Sequence, residues 1–194
     1  MGFEFELKYR ATPEILKKIC RELPGTPQEF SMETTYYDTP EGDFSARRCT
    51  LRRRLENDVS ICTLKTPADD LSRGEWEVES ETISEGFAML CKLAIPEELA
   101  ALSQKELRPI CGARFHRIAK TVTYYDCTVE VAMDKGVLLG GGKELPLCEL
   151  EVELKEGSRM SCGTYANLLA SAYGLEMEQV SKFRRALNLA KGEE

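Results

Sequence analysis

The feature that most constrains the fold is a period-2 alternation of charged and apolar residues that recurs along the chain. Residues 3–9 read F-E-F-E-L-K-Y, residues 73–79 read R-G-E-W-E-V-E, and residues 149–154 read E-L-E-V-E-L. Because successive side chains of a β-strand point to opposite faces, each segment predicts a strand with one charged and one apolar face. Further strands are predicted over residues 51–55, 60–66, 115–125 and 129–134.

Helix signals fall between these strands. Thr12 before Pro13 predicts an N-cap and a helix to about Cys20. Four more helices are predicted: one capped by Ser84 and running to Leu93, and others over residues 96–103, 161–173 and 181–190. Roughly eight strands without a regular βαβ order favour an α+β fold over a doubly wound sheet. Residues 1–194 are expected to form a single domain.

The composition narrows the class of partner. The net charge is -7, which argues against a general nucleic-acid-binding surface, so any anion site must be a local concentration of basic groups. The chain has 8 cysteines, none in a C-x-x-C spacing, and 1 histidine, which is poor material for zinc. We find no signal peptide and no apolar run of membrane-spanning length, and expect a cytoplasmic protein with reduced cysteines.

The charged faces carry the functional signal. Any one of them is typical of a half-solvated strand in an ordinary sheet. As a set they differ, because some carry runs of carboxylates and others runs of Arg and Lys. If the sheet closes into a barrel, both sets surround one lumen, and buried like charges are costly unless something neutralises them. Carboxylates suit Mg²⁺ or Mn²⁺ and guanidinium groups suit phosphate oxygens, so a polyphosphate bound with a metal satisfies both.

Short motifs at ordered positions support this hypothesis. They are Glu4-x-Glu6-x-Lys8, Tyr37-Asp38-Thr39, Leu51-Arg52-Arg53-Arg54, Thr63-Leu64-Lys65, Arg73-x-Glu75-x-Glu77, Phe115-x-Arg117, Asp134-x-Gly136, Glu149-x-Glu151-x-Glu153 and Ser181-Lys182. In this order the sequence resembles the CYTH superfamily of triphosphate tunnel metalloenzymes, from Glu4 to about Ala186. That superfamily includes inorganic triphosphatases, thiamine triphosphatases and class IV adenylate cyclases.

The resemblance implies an eight-stranded antiparallel β-barrel that forms a tunnel, with helices packed outside. It implies a metal site built from Glu4, Glu6 and carboxylates among Glu149, Glu151 and Glu153, of which we favour Glu149 and Glu151. It implies phosphate binding by Lys8, Arg52, Arg54, Lys65, Arg117 and Lys182. Glu75 or Glu77, and Asp134, are expected to orient these bases or to complete the metal shell. Among these groups, we assign the catalytic roles to Glu4, Glu6, Lys8 and Lys65.

Several nearby residues are expected to lie outside the site. Arg53 points away from Arg52 and Arg54, and His116 is out of phase with Arg117 on a strand. Arg114, Lys120 and Tyr37 stay open, with a position outside the site favoured for each. The Gly140–Gly142 run lacks the spacing of a phosphate-binding loop and predicts a hairpin turn.

The resemblance implies metal-dependent hydrolysis of a triphosphate to diphosphate and phosphate. Inorganic triphosphate is the first choice of substrate, because few sequence features suit a base or a thiamine ring: Trp76, the single tryptophan, lies on an apolar face. Thiamine triphosphatase, nucleoside triphosphatase and class IV adenylate cyclase activities remain alternatives, as does a non-catalytic module that binds polyphosphate or nucleotide. The expected cofactor is Mg²⁺ or Mn²⁺, and the expected partner is a small-molecule triphosphate rather than nucleic acid or membrane.

Overall fold

The computed structural model describes residues 2–67 and 72–193, and for residues 2–4, 72 and 73 it describes the backbone only. Within these residues the chain is an α+β protein with nine β-strands and six α-helices. The strands are β1 (Gly2–Arg10), β2 (Gln28–Asp38), β3 (Thr50–Glu56), β4 (Val59–Pro67), β5 (Ser72–Glu79), β6 (Arg108–Tyr124), β7 (Cys127–Gly140), β8 (Lys143–Gly157) and β9 (Glu176–Met177). The α-helices are α1 (Pro13–Glu22), α2 (Asp43–Ala46), α3 (Ile83–Leu90), α4 (Glu97–Ala100), α5 (Arg159–Tyr173) and α6 (Lys182–Lys191), and a 3₁₀ helix spans Ala101–Gln104.

The strands form one antiparallel sheet in the order β5-β4-β3-β2-β6-β7-β8-β1-β9. Residues 6–10 of β1 lie opposite residues 149–153 of β8. Residues 2–5 of β1 lie opposite residues 72–75 of β5, the strand at the far end of this order. β1 therefore pairs with both β5 and β8. No helix in the described part of the chain is long and apolar enough to span a membrane.

The α+β class and the antiparallel sheet are confirmed, but the strand count of eight is wrong. A ninth strand, β9, pairs its two residues with Tyr9 and Arg10 of β1. β2 was not among the predicted segments, because Thr34-Thr35 and Tyr36-Tyr37 put similar residues on both faces and hide the alternation. The Gly140–Gly142 hairpin is confirmed: Gly141 and Gly142 have φ values of 58° and 74°, which suit a two-residue hairpin turn.

Most helices cover the apolar face of the sheet, as expected. α1 and α5 pack on β1, β7 and β8 in a cluster that includes Ile19 and Leu150, and α2, α3 and α4 pack on β3, β4 and β5 in one that includes Leu64 and Phe87. Both Leu150 and Leu64 are 0% exposed. Truncating such a leucine to alanine costs about 2–5 kcal/mol of stability. This packing leaves the other face of the strands, which we call the inner face, to the charged residues.

The last helix departs from the expectation that every helix lies outside. α6 packs on the inner face, where Leu187 joins a cluster with Phe115 and Leu138. Leu138 shares its face with Asp134, because the two residues are an even number of positions apart on β7. A Cβ on Gly140 would lie 2.4 Å from the carbonyl oxygen of Ala186, so the helix lies directly on the strand. α6 therefore brings its first residues to the charged face.

Helix caps explain where the helices begin. Thr12 caps α1 as predicted, and Ser181 caps α6 by accepting a hydrogen bond from the Arg184 amide at 3.2 Å. The prediction for α3 is wrong in both bounds: Thr82, not Ser84, is the N-cap, and the helix ends at Leu90. Each cap contributes about 1 kcal/mol, so Ser181 fixes where the first turn of α6 begins.

Candidate active site

The inner face surrounds a cavity of about 290 Å³. Strands β1–β8 and the start of α6 contribute to its walls, and seven carboxylates and seven basic groups line it. The lining residues are Glu6, Lys8, Phe30, Met32, Tyr36, Thr50, Arg52, Arg54, Glu56, Lys65, Glu75, Glu77, Arg117, Glu130, Glu151, Glu153, Lys155, Ser181, Lys182 and Phe183. The charges balance in number, and each wall of the cavity carries both signs.

One wall is built on three carboxylates that we call the carboxylate triad: Asp134, Glu149 and Glu151. Asp134 on β7 lies directly opposite Glu149 on β8, and Glu151 follows two residues later on the same face. One oxygen from each lies within 4.8 Å of the others. The three residues are 0%, 1% and 8% exposed, so the triad is buried and its charge must be neutralised locally.

Three basic groups supply that neutralisation. The Arg117 guanidinium donates two hydrogen bonds of 2.7 Å to the two oxygens of Asp134 and a third of 2.5 Å to Glu151 Oε2. Lys182 Nζ lies 2.6 Å from Glu151 Oε1 and 2.8 Å from Asp134 Oδ2, and also contacts Glu149 Oε1. Arg185 contacts the other oxygen of Glu149. Three carboxylates and three cations form one neutral buried network.

The network shifts the pKa values of its members. Burial alone would lower the pKa of Arg117 and Lys182, but the attraction of Asp134 and Glu151 outweighs it and raises both. Burial likewise opposes the charge of Glu151, yet Lys182 and Arg117 hold its pKa well below the ordinary value. The pKa of Glu149 moves the other way, because burial and the neighbouring charge of Glu151 raise it. Of the two glutamates in the triad, Glu149 therefore binds a proton more readily than Glu151.

Arg185 is a member of this network that the sequence motifs missed. It lies one helical turn after Lys182 and contacts both Glu149 and Glu178. Glu178 is 4% exposed and also accepts a hydrogen bond of 2.8 Å from Arg10. The i, i+3 spacing from Lys182 was the available signal, since residues three apart share a helix face.

The opposite wall is basic and is built on β3 and β4. Arg52 lies 3.9 Å from Glu75 and 3.8 Å from Glu77, while Lys65 lies 3.1 Å from Glu75. Arg54 donates a hydrogen bond of 2.9 Å from Nε to Thr34. Burial, together with the positive charges of Arg52 and Arg117, lowers the pKa of Arg54. Arg54 also lies 3.5 Å from Glu56, so both arginines of this wall meet carboxylates at longer distances than Arg117 does in the triad.

A second acidic row crosses β1, β8 and β7 near the triad. Glu6 lies opposite Glu153, and Glu153 lies opposite Glu130. Lys8 donates a hydrogen bond of 2.9 Å to Glu6, and Lys155 lies 2.9 Å from Glu153 and 3.8 Å from Glu130. Lys155 is outside the sequence motifs, although it continues the phase of Glu153, and both Lys155 and Glu130 line the cavity.

The predicted metal ligands therefore divide into groups. Glu149 and Glu151 meet Asp134 in the triad, whereas Glu6 and Glu153 lie in the neighbouring row. The side chain of Glu4 lies outside what the structure describes; its backbone pairs with β5. Grouping alone does not assign a metal, and the ligand set stays a prediction.

Five residues held open or excluded by the sequence lie away from the cavity. Arg114 is exposed and pairs with Glu144 at 3.2 Å. Lys120 donates a hydrogen bond of 2.8 Å to the Leu23 carbonyl. The others, each on the far side of its strand, are Arg53 beside Glu81, His116 beside Glu29, and Tyr37 in the apolar cluster under α3.

Aromatic side chains line the cavity where the sequence led us to expect few features for a ring. Tyr36 and Phe183 lie with their ring centroids 5.0 Å apart, and Phe30 is also part of the lining. Tyr36, rather than the motif residue Tyr37, faces the cavity because only alternate residues of β2 point inward.

The donor set of the triad suits a hard divalent cation. Mg²⁺ and Mn²⁺ prefer carboxylate oxygens, and the triad offers three within 4.8 Å of one another. Glu149 Oε1 is buried and accepts no hydrogen bond of normal geometry, although Lys182 Nζ lies against it. The oxygen type and the spacing of the triad fit the expected metal, at the position that the Lys182 ammonium occupies in this structure.

The chain matches a known protein family along almost its whole length. A profile described as the CYTH domain matches residues 2–187. The chain belongs to the CYTH domain family. In an alignment of 193 positions that covers 94% of its length, this CYTH chain is 29% identical to an inorganic triphosphatase of Haemophilus influenzae. It spans 53% of that relative's length, so about half of the relative has no counterpart here.

Solved structures share the fold of this CYTH protein. A putative adenylyl cyclase from Hippeastrum, described as having a dominant triphosphatase activity, has a TM-score of 0.69 at 16% identity, covering 100% of this chain and 97% of that one. The PH1819 protein of Pyrococcus horikoshii has a TM-score of 0.63 at 21% identity, covering 95% and 98%. At these identities the likeness shows a common fold alone.

Proposed function

We propose that this CYTH protein hydrolyses a triphosphate, with Mg²⁺ or Mn²⁺, to diphosphate and phosphate. The observation that carries the proposal is Arg54, a buried guanidinium that lines the cavity together with Arg52 and Arg117. Burial and the positive charges of these two neighbours lower its pKa. Cations that destabilise one another in this way gain most from an anion placed between them. Phosphate oxygens match guanidinium groups in charge and in hydrogen-bond geometry.

In this proposal the basic groups hold the substrate. Arg52, Arg54 and Lys65 bind the phosphates from β3 and β4, and Lys8 and Arg117 bind them from the other side of the cavity. Glu75 and Glu77 orient Arg52, as their distances of 3.9 and 3.8 Å allow. Phosphoryl transfer requires mainly such positioning and neutralisation of charge, with little covalent participation by the protein.

The carboxylates hold the metal. Glu149 and Glu151, with Asp134, are its proposed ligands, and Glu4, Glu6 and Glu153 complete the set. A metal held there would supply positive charge to phosphate oxygens and would lower the pKa of a nearby water. Water adds to the terminal phosphorus and gives up a proton to solvent as the bond to the bridging oxygen breaks, and diphosphate and phosphate leave. We further propose that the β1–β5 pairing closes the sheet into a tunnel around this site.

Inorganic triphosphate is the proposed substrate. The cavity of about 290 Å³ lies just below the ~300–1,000 Å³ typical of pockets for drug-sized ligands, and its lining is dominated by charge. The relative from Haemophilus influenzae is named for the same substrate. A small polyanion fits such a site better than a nucleotide does.

A second candidate is a triphosphate that carries a ring. Tyr36 and Phe183 in the lining support it, since aromatic side chains stack on bases and on the thiamine ring. Thiamine triphosphate and ATP are therefore the proper competitors, with cyclic AMP formation as the signature of a cyclase.

The decisive experiment measures phosphate release from inorganic triphosphate, thiamine triphosphate and ATP in parallel, each with Mg²⁺, Mn²⁺ or EDTA. We expect metal-dependent release that is fastest with inorganic triphosphate. Faster release from a ring-bearing substrate would support the second candidate. No release from any of them by folded protein, with cyclic AMP formed from ATP, would replace the hydrolase by a cyclase. Binding without turnover would leave a non-catalytic module.

A further inference from the structure

Lys182 occupies the centre of the carboxylate triad. It is the first residue of α6 and is 7% exposed. Its ammonium contacts Asp134 and Glu151 at 2.8 and 2.6 Å and also touches Glu149, so all three members of the triad share it. Lys182 also belongs to the lining of the cavity. Its side chain therefore lies at the boundary between the triad and the space where an anion would bind.

The ammonium and a divalent cation cannot both occupy this position. The triad oxygens lie within 4.8 Å of one another, and Mg²⁺ requires its oxygen ligands at about 2.0–2.1 Å. An ion among these oxygens would coincide with Lys182 Nζ. Two positive centres at such a distance in a buried site would also repel each other strongly.

Charge counting leads to the same conclusion. Asp134, Glu149 and Glu151 carry three negative charges, and Arg117, Arg185 and Lys182 carry three positive charges in contact with them. The network is neutral, so a divalent ion added to it leaves an excess of two positive charges. Movement of the Lys182 ammonium into the cavity removes one of them, and a polyanion in the cavity compensates the other.

The helix that carries Lys182 is anchored independently. Ser181 caps α6, and Arg185, one turn further on, contacts Glu149 and Glu178. Leu187 packs among apolar side chains of β6 and β7. A change in the position of the ammonium therefore requires rotation of one side chain, with the helix in place.

We propose that Lys182 is an internal counter-cation that exchanges with the metal: it neutralises the triad in the metal-free protein and, when a divalent cation binds there, turns into the cavity and binds the anionic substrate. The inference rests on the proposed function. It adds that metal and triphosphate bind with positive coupling, because each favours the same position of Lys182.

The first test measures Mn²⁺ binding without any anion, by electron paramagnetic resonance, in wild type and Lys182→Gln. Arg54→Gln is the matched control: it also removes one positive charge from the cavity, and Arg54 lies 5.9 Å from the Phe115 ring centroid where Lys182 lies 5.3 Å from it. We expect Lys182→Gln to bind Mn²⁺ at least tenfold tighter than wild type, and Arg54→Gln to gain about threefold or less; a tenfold change corresponds to about 1.4 kcal/mol. Equal gains in the two variants, or weaker binding by Lys182→Gln, would overturn the exchange.

A second test uses the wild-type protein and does not depend on the folding of a variant. The Lys182 side-chain nitrogen is observed by ¹⁵N NMR while Mg²⁺ is added without triphosphate. We expect its signal to shift and its ammonium protons to exchange faster with water as the ion pairs break. An unchanged signal at saturating Mg²⁺ would overturn the proposal.

The proposed hydrolysis and the proposed exchange of Lys182 with the metal can be contradicted separately. If wild type hydrolyses inorganic triphosphate with Mn²⁺ while both tests on Lys182 fail, the exchange is wrong and the proposed function stands. If no triphosphate is hydrolysed but Mg²⁺ displaces the Lys182 ammonium, the exchange stands and the proposed hydrolysis is wrong.

Discussion

The two walls of the cavity differ in how their charges are neutralised. On β7 and β8, buried carboxylates meet protein cations at 2.5–2.8 Å, as Asp134 and Glu151 do with Arg117. On β3, the ion pairs of Arg52 with Glu75 and Glu77 are longer, at 3.9 and 3.8 Å, as is that of Arg54 with Glu56 at 3.5 Å. The triad is thus neutralised by short hydrogen-bonded ion pairs, and the arginines of the other wall meet their carboxylates at longer distances.

Two arginines make the difference clear. Arg117 and Arg54 both line the cavity and lie at 5.7 and 5.9 Å from the same Phe115 ring. Burial opposes the charge of each, yet the pKa of Arg117 is raised by Asp134 and Glu151, whereas that of Arg54 is lowered further by neighbouring positive charge. The charges next to each arginine, and not the depth of its burial, decide the direction in which its pKa shifts. Arg54, whose ion pair with Glu56 spans 3.5 Å and does not outweigh the neighbouring positive charges, therefore marks a place where an external anion would be favoured.

The largest expected effect comes from removing charge on the basic wall, formed by β3 and β4. Arg54→Ala should lower kcat/KM for inorganic triphosphate by about 100- to 1,000-fold, because it deletes a donor to developing phosphate charge. Arg53→Ala is the control: Arg53 is the next residue along β3 and points to the other face, beside Glu81. Steady-state kinetics on both variants, with folding checked by circular dichroism, decides the point. Comparable losses in the two would contradict the assignment of the basic wall.

The wall that carries the triad should respond in stability. Glu151→Gln leaves Arg117 and Lys182 with less negative charge, and breaking a buried ion pair in this way costs about 3–5 kcal/mol. Glu153→Gln, two residues later on the same face, changes a pair with Lys155 whose side chains are 24% and 42% exposed, and should cost at most about 1 kcal/mol. Urea denaturation compares the two. Similar losses would mean that the ion pairs of Glu151 in the triad contribute no more to stability than the pair of Glu153 with Lys155.

The same wall predicts a pH dependence. The pKa of Glu151 is lowered in the folded protein, so its contribution to stability is complete above the unfolded pKa of about 4.3 and is lost as pH falls toward the folded value. Glu149, whose folded pKa is raised, contributes with the opposite sign as pH rises through that value. The stability difference between wild type and Glu151→Gln should therefore shrink only as the pH falls below about 4.3. A difference that stays constant would show that Glu151 is not held ionised.

The alternation of side chains between the two faces of a strand predicted much of this site from the sequence. Alternation placed Arg52 and Arg54 inside and Arg53 outside, and it put Glu149, Glu151 and Glu153 on one face. The same alternation excludes Arg114 and Lys120 from the cavity, because each lies three residues from Arg117 on β6. The motifs alone had left both residues open. Applied two positions beyond Glu153, the alternation would also have found Lys155.

Other features of the site depend on long-range structure. The contact of Asp134 with Glu149 requires the register between β7 and β8, which neither strand specifies alone. Arg185 contacts Glu149 only because α6 lies on the inner face, and that position follows from the tertiary packing of Leu187 and Gly140. Sequence periodicity assigns faces, but tertiary packing brings those faces together.

The smallest predicted effect tests whether the two faces of β6 differ in function. Arg114 is 62% exposed and pairs with Glu144, which is 56% exposed, so this ion pair is screened by water. Arg114→Gln should change the free energy of unfolding by less than about 0.5 kcal/mol and leave kcat/KM unchanged. Arg117→Gln, on the same strand but facing the triad, should lose both stability and activity. Urea denaturation and phosphate release measured on the pair separate the two faces. Since the two residues have the same chemistry and lie three positions apart, a loss of activity in Arg114→Gln would mean that the function of β6 extends beyond its inner face.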